Sequence, residues 1–298
     1  MPFTRRDSDF LSRGTRCAGW LYMPDGAKRP PVVVMAHGFG AERSFRLSAY
    51  AEKFVEKNMA VFVFDYRCFG DSEGTPRNLV NPLMHIQDWE AALRHVRLLE
   101  GINKDKIGLW GTSFSGGHVI VVAARNPWIS AIVSQVPFVD GISSLMMMDA
   151  NYIMKAVVAG LRDLLRKISF RSPYYVPIVA KPDTFAIMNS EDAMPGYMAL
   201  VSEGSTWKNE CPARILLYLP LYRPITYAKN VKCPALMVMA EKDFGISPEA
   251  VRKCAKKMNA RLVSLPVGHF EPYLGELFEK TSGMEADFLA EQLIEAWG

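Results

Sequence analysis

Cysteine is scarce: five in 298 residues, at 17, 68, 211, 233 and 254, with no CxxC pair among them. Five thiols cannot all pair, so neither a disulfide framework nor a zinc cage is expected; buried thiols in a reducing compartment are. Long apolar runs are missing too. None approaches the 18 residues that a membrane span needs, and the polar first ten residues lack the apolar stretch of a signal peptide. The expectation is therefore a chain with no membrane span, located in the cytoplasm. Charge of one sign is also lacking. Thirty-five Lys and Arg against 31 Asp and Glu leave +4, and with no basic run interleaved with aromatics nucleic acid is excluded as a partner. No set of histidines and carboxylates has the HExxH spacing. Gly38 and Gly40 follow a histidine and lack the third glycine of GxGxxG. The sequence thus implies no metal and no cofactor. With 49% apolar and 22% charged residues, what remains is an ordinary globular chain rather than a disordered one.

What is present is an alternation. The runs 31–36, 60–65, 106–111 and 131–136 are short, wholly or almost wholly apolar and rich in Val, Ile and Phe, the pattern of strands buried on both faces. Between them lie helical periodicities. Leu47, Tyr50, Ala51, Phe54 and Val55 share one helix face, as do Ile86, Trp89, Leu93 and Val96, and a third helix follows over 114–126. Strands alternating with helices give βαβ units, hence an α/β fold with a mostly parallel sheet flanked by helices. The alternation stops near Asp140 and resumes with strands at 233–240 and 261–265, a helix from 248 to 258 and a closing helix over 284–297. The expected organisation is a core made of residues 1–140 and 231–298, with 141–230 a helical insert acting as a cap. That insert holds seven of the 16 methionines, whose flexible thioethers suit either the wall of an apolar pocket or ordinary packing.

The sharpest local signal is Gly111, Thr112, Ser113, Phe114, Ser115, Gly116 and Gly117, set between a buried strand and a helix. A serine on so tight a strand-to-helix turn projects its hydroxyl above the sheet edge. Here the chain resembles the α/β-hydrolase superfamily and its nucleophile elbow, G-x-S-x-G, with Ser115 in place of the last glycine. The resemblance runs from about residue 15 to 140 and from 230 to 298. It includes the segment 65–74, similar to the family's D-x-R-G-x-G-x-S with Cys68 for the first glycine, which is expected to be a structural loop. It implies Ser113 as nucleophile, His269 in the loop after the last strand as base, and Asp243 after the strand 235–240 as the acid that orients the histidine, with Asp140 as its rival. The chain order Ser113, Asp243, His269 is the family's order. Two backbone N–H groups should hold the oxyanion: that of Phe114, directly after the nucleophile, and, as in the family, that of Phe39 in the loop His37, Gly38, Phe39, Gly40. His85 and His95 read as exposed helix positions, and His118 should point away from the serine.

Within the insert, Tyr222, Arg223, Pro224 and Trp207, Lys208, Asn209 look similar to a subgroup containing bacterial hydrolases and fungal polyketide-processing hydrolases and transferases. The expected activity is a serine hydrolase that cleaves carboxylic esters of hydrophobic small molecules through an acyl-enzyme. An acyltransferase or thioesterase on the same triad is the alternative. A binding protein that has lost catalysis is the reading from another class. The insert is expected to cover the site and set substrate choice, with a role in oligomer contacts only as the alternative; a homodimer through this region is compatible with either.

Overall fold

Five apolar segments make the centre of one eight-stranded sheet in the computed structural model, which describes residues 2–295. In chain order the strands are β1 (Phe3–Asp7), β2 (Phe10–Ser12), β3 (Thr15–Cys17), β4 (Gly19–Pro24), β5 (Val32–Ala36), β6 (Ala60–Phe64), β7 (Ile107–Thr112), β8 (Ala131–Gln135), β9 (Tyr175–Val176), β10 (Cys211–Pro212), β11 (Ala235–Ala240) and β12 (Arg261–Leu265). The large sheet runs β1-β4-β6-β5-β7-β8-β11-β12. Its pairs β1/β4 and β4/β6 are antiparallel and all the others parallel. Every residue of β5, β6, β7, β8 and β11 is buried. That follows from helices covering both faces, the arrangement that wholly apolar parallel strands require.

The helices are α1 (Leu47–Glu56), α2 (Pro82–Leu98), α3 (Phe114–Arg125), α4 (Gly141–Leu145), α5 (Ala150–Ile168), α6 (Ala193–Met198), α7 (Ile215–Tyr218), α8 (Pro248–Met258) and α9 (Gly275–Ala290). α1 and α9 pack together over one face; α2 and α3 pack together over the other, where α8 also lies. Their starts obey local chemistry. Asn81 accepts the N–H groups of Leu83 and Met84 at the head of α2, with Pro82 in the first turn, and Ser247 does the same for Ala250 at α8. Among the described residues no helix is long and apolar enough to cross a membrane.

Ahead of β4, β2 and β3 form a separate hairpin that leans on α2 through a Ser12–Asp88 hydrogen bond of 2.6 Å. Two expectations change. The closing helix starts at Gly275, nine residues before the periodicity shows it, and gives way to a π turn at Glu291–Glu295; Trp297 lies outside the described residues. His85 is fully buried, not exposed. It stacks on Tyr66 with ring centroids 4.0 Å apart and shares a 3.1 Å hydrogen bond with His118. The loop after β6 covers that side of α2, and nothing in the helix periodicity announces it. His95 is half-buried against Phe10 and Phe62.

α9 also carries a buried acid. Glu285 accepts Trp110 Nε1 at 2.9 Å through one oxygen, while the other has no partner. Burial pushes its carboxyl up to about 8, Trp110 offsetting only part of this. The folded protein therefore keeps a proton that the unfolded chain releases near pH 4.5, and stability falls as pH rises from there to about 8. At roughly 1.4 kcal/mol per pH unit, Glu285→Gln is expected to match the parent in urea unfolding at pH 5. By pH 8 it should exceed it by on the order of 3–5 kcal/mol. Parallel urea midpoints for the two proteins across this range would contradict the assignment.

Candidate active site

Parallel strands deliver their C-terminal ends to one edge of the sheet, and the loops gathered there supply the residues that can react. The turn from β7 into α3 places Ser113 at φ 54°, ψ −119°, a left-handed conformation that a side chain adopts only when its surroundings enforce it. They do. Ser113 N–H donates to Gln135 O at 2.8 Å, and Ser113 O accepts from Phe138 N at 2.9 Å and from Gly117 N at 3.3 Å. Such a tight path needs small neighbours: a Cβ on Gly117 would sit 2.2 Å from Phe138 O. Ser115 fits because its hydroxyl is buried against Tyr66 OH at 2.9 Å.

The hydroxyl of Ser113 lies 3.1 Å from His269 Nε2, and His269 Nδ1 lies 2.5 Å from Asp243 Oδ2. The other Asp243 oxygen accepts the N–H groups of Gly245 and Ile246, each at 3.0 Å. Bonds from Glu241 N to Leu265 O and from Lys242 N to Val267 O hold the acid's loop against the histidine's. Burial alone would lower the His269 imidazole. The charge and hydrogen bond of Asp243, with the charge of Asp192 behind them, outweigh it and leave the imidazole raised. Asp192 was not visible in advance. It belongs to the chain before α6, and its carboxylate rests against Gly268, where a Cβ would lie 2.9 Å from Oδ2. Ser190 Oγ fixes it through a 2.6 Å bond.

Asp140, the rival acid, is engaged elsewhere: Arg223 Nε donates to it at 2.6 Å and Ser143 Oγ at 2.8 Å. Burial would raise its carboxyl, but these bonds and the Arg223 charge leave it lowered. Asp65 fastens the loop 65–74, taking Arg43 N at 2.7 Å and Arg43 Nη1 at 2.5 Å. In the same loop Cys68 has φ 74°, the conformation that explains a glycine in the related pattern.

Phe39 and Phe114 meet beside the serine, their rings edge to face at 5.4 Å. A Cβ on Gly38 would come within 3.0 Å of the Ser113 Cβ, so the loop runs alongside that residue. Neither the Phe39 nor the Phe114 N–H has an acceptor among the described residues. The loop is pinned from residues 141–230: Tyr197 OH donates to Phe39 O at 3.0 Å and Trp207 Nε1 to Gly40 O at 2.8 Å. His37 supports it from below, buried, with Nδ1 at 3.0 Å from its neighbour Gly38 O, and burial pulls it down to about 3, hence neutral.

A mostly apolar cavity, open to solvent, is lined by Ser113 and His269. Its floor is Phe39, Phe114 and Phe138. Its walls are Leu145, Met148, Tyr152 and Ala156 from around α4 and α5, Ile187 and Met188, and Leu216, Leu219 and Pro220 from α7 and beyond. Of the methionines in 141–230, Met148 and Met188 line the cavity, whereas Met146 and Met147 are exposed. The two motifs in 141–230 do not line it either. Tyr222 OH bonds to His118 Nδ1 at 2.5 Å, Arg223 holds Asp140, and Pro224 packs on Gly117. Asn209 caps the N–H groups of Ile178 and Val179. These residues fasten 141–230 to the elbow and to the loop 37–40. Among the described residues no group of three His, Cys, Asp or Glu is placed to hold a metal ion.

The family model Hydrolase_4, serine aminopeptidase S33, matches residues 27–268. The quorum-quenching protein AidA of Acinetobacter baumannii is 38% identical over 97% of this chain and 95% of its own length. A polyketide transferase of Aspergillus fumigatus is 30% identical, covering 82% of each chain. The crystal structure of the α/β hydrolase GrgF from Penicillium shares the fold with a TM-score of 0.83, at 22% identity over 97% of this chain and 99% of that one.

Proposed function

The chain belongs to the serine aminopeptidase S33 family of α/β hydrolases, and from that premise we propose that it hydrolyses carboxylic esters of hydrophobic small molecules through an acyl-enzyme on Ser113. The observation that carries this is the Ser113–His269–Asp243 hydrogen-bond chain at the foot of an apolar cavity. In this reading His269 Nε2 takes the hydroxyl proton as Ser113 Oγ attacks the acyl carbon. Asp243 stabilises the imidazolium and holds the ring orientation. The Phe39 and Phe114 N–H groups, free of other acceptors, receive the oxyanion. His269 then protonates the leaving alcohol, and water activated by the same nitrogen releases the acid. Residues 141–230 act as the cap, since they supply most of the cavity wall.

An ester fits better than a peptide N-terminus. Binding an α-ammonium calls for a carboxylate in the cavity. The single carboxylate among the residues lining it is Asp243, and its two oxygens are taken by His269 and by two backbone N–H groups. Acyl transfer on the same triad is the second reading, favoured by the 30% identity to a polyketide transferase.

The test is kcat/KM on aryl esters from acetyl to octanoyl, with a medium-chain lactone, an acyl thioester and a second acceptor alongside. Each methylene that enters the cavity is worth about 0.8 kcal/mol, so specificity should climb by roughly fourfold per methylene until the wall is reached. Ala156→Trp, which fills the cavity from α5, should erase the rise for long chains while sparing acetyl esters. A flat profile in the parent would overturn the hydrophobic-ester reading. Faster turnover with the second acceptor than with water would favour transfer.

A further inference from the structure

The outward face of α5 is apolar along its whole length. Met154, Val157, Val158, Leu161, Leu165 and Ile168 are each between 43% and 65% exposed, and Phe170 just beyond is 99% exposed. At 100° per residue these positions form one stripe. It lies opposite the buried face, Ala156, Ala159, Gly160 and Asp163. That inner face is fully committed: Gly160 lets Leu217 approach, a Cβ there meeting it at 2.6 Å, and Asp163 takes Arg214 Nε at 2.6 Å and Tyr174 N at 2.8 Å. The helix is not loosely attached, so its outer face needs an explanation of its own. Monomers rarely leave contiguous apolar patches beyond a few hundred Å² in water.

We propose that this face is a two-fold interface with a second copy of the chain, the two α5 helices crossing antiparallel at Leu161. The spacing carries the choice of partner. The stripe reads the same in both directions from Leu161. Four residues either way lie Val157 and Leu165, and seven either way lie Met154 and Ile168. In an antiparallel pair Val157 meets Leu165 of the other copy, Met154 meets Ile168, and Leu161 meets itself, the self-complementarity that a two-fold contact demands. The helix is 19 residues long. Six exposed side chains on it, with Phe170 just beyond its end, approach the scale of surface, roughly 800 Å² per partner, that stable interfaces bury. An anionic lipid surface would be favoured by cations of α5 facing outward with the stripe. Of its four, Arg162 stacks on Tyr174 at 4.2 Å and Arg166 bonds to Ser172 O at 2.6 Å, both folded back on their own chain, while Lys155 and Lys167 are exposed. Since Tyr152 and Ala156 of α5 line the cavity, pairing would also brace the cavity wall from outside.

Light scattering behind gel filtration, at tens of micromolar, should give twice the chain mass for the parent and one chain mass for Leu161→Glu, with an unchanged circular-dichroism spectrum. Leu161→Cys should be cross-linked to itself by a short bifunctional maleimide, and Leu83→Cys, exposed on α2, should not. The parent is a fitting background, because four of its cysteines are buried and Cys233 is partly so. The cross-link decides the matter if Leu161→Glu fails to fold. A monomeric parent, or a dimer that survives Leu161→Glu and leaves Leu161→Cys uncoupled, overturns the proposal. So does a monomer that binds phosphatidylserine vesicles through the same stripe.

Discussion

Ser113→Ala should lower kcat for an aryl ester by on the order of 10⁶, the loss seen when a triad serine is removed and only the oxyanion hole and substrate binding are left. The expectation rests on geometry. Ser113 Oγ is the one hydroxyl hydrogen-bonded to His269 among the described residues, and it opens onto the cavity. A fluorophosphonate should label Ser113 and leave the alanine variant untouched, with the adduct placed by mass spectrometry. An adduct on another residue, or a variant that retains ester hydrolysis, would remove Ser113 from the mechanism. Ser115, two residues on, is the internal control. It is fully buried and bonded to Tyr66, so it should never be labelled.

Asp243→Asn carries the second large effect, a fall in kcat of roughly 10⁴ with the fold intact, because an amide leaves the imidazole in the wrong tautomer. It also removes the charge and hydrogen bond that oppose the effect of burial on His269. The base must be neutral to act, so any residual activity should reach its plateau at a lower pH than in the parent. Asp140→Asn should shift neither kcat nor the pH profile comparably, since Asp140 serves Arg223 and Ser143. Its loss should show in the melting temperature instead. A reversal of the two outcomes would hand the acid's role to Asp140.

The core strands were legible because each one is a continuous apolar run, and only burial on both faces explains such runs. The elbow was legible because small residues around Ser113 have a local cause: the backbone passes within contact distance of itself. Asp243 and His269 came from the family resemblance, by their loops after the strands 235–240 and 261–265, since chain order alone admits Asp140 equally well. The rest depends on partners far away in sequence. His85 lies on α2, and its burial is due to Tyr66 and His118, 19 and 33 residues off. Asp192 reaches the base from a stretch with no regular periodicity. Trp207 and Tyr222 stood out by resemblance and suggested substrate choice, yet their contacts are with the loop 37–40 and with His118. The methionines of 146–148 could not be assigned by composition, since a flexible apolar side chain fits a cavity wall and an exposed turn equally well. The outward stripe of α5 has the same period as a buried face, and periodicity does not say on which side of a helix the protein lies.

Ser113 is held at a positive φ, a conformation that costs a side-chain-bearing residue about 1–3 kcal/mol. Alanine would inherit that strain, but glycine would not. Ser113→Gly, although expected to be inactive, should therefore melt higher than Ser113→Ala. Natural selection meets the same gradient from the other side. The position on which the proposed mechanism most depends is one at which the fold alone would favour a different amino acid, so in that mechanism serine persists there only while activity is under selection. In a lineage that kept this scaffold merely to bind a ligand, position 113 is among the first expected to drift, and toward glycine.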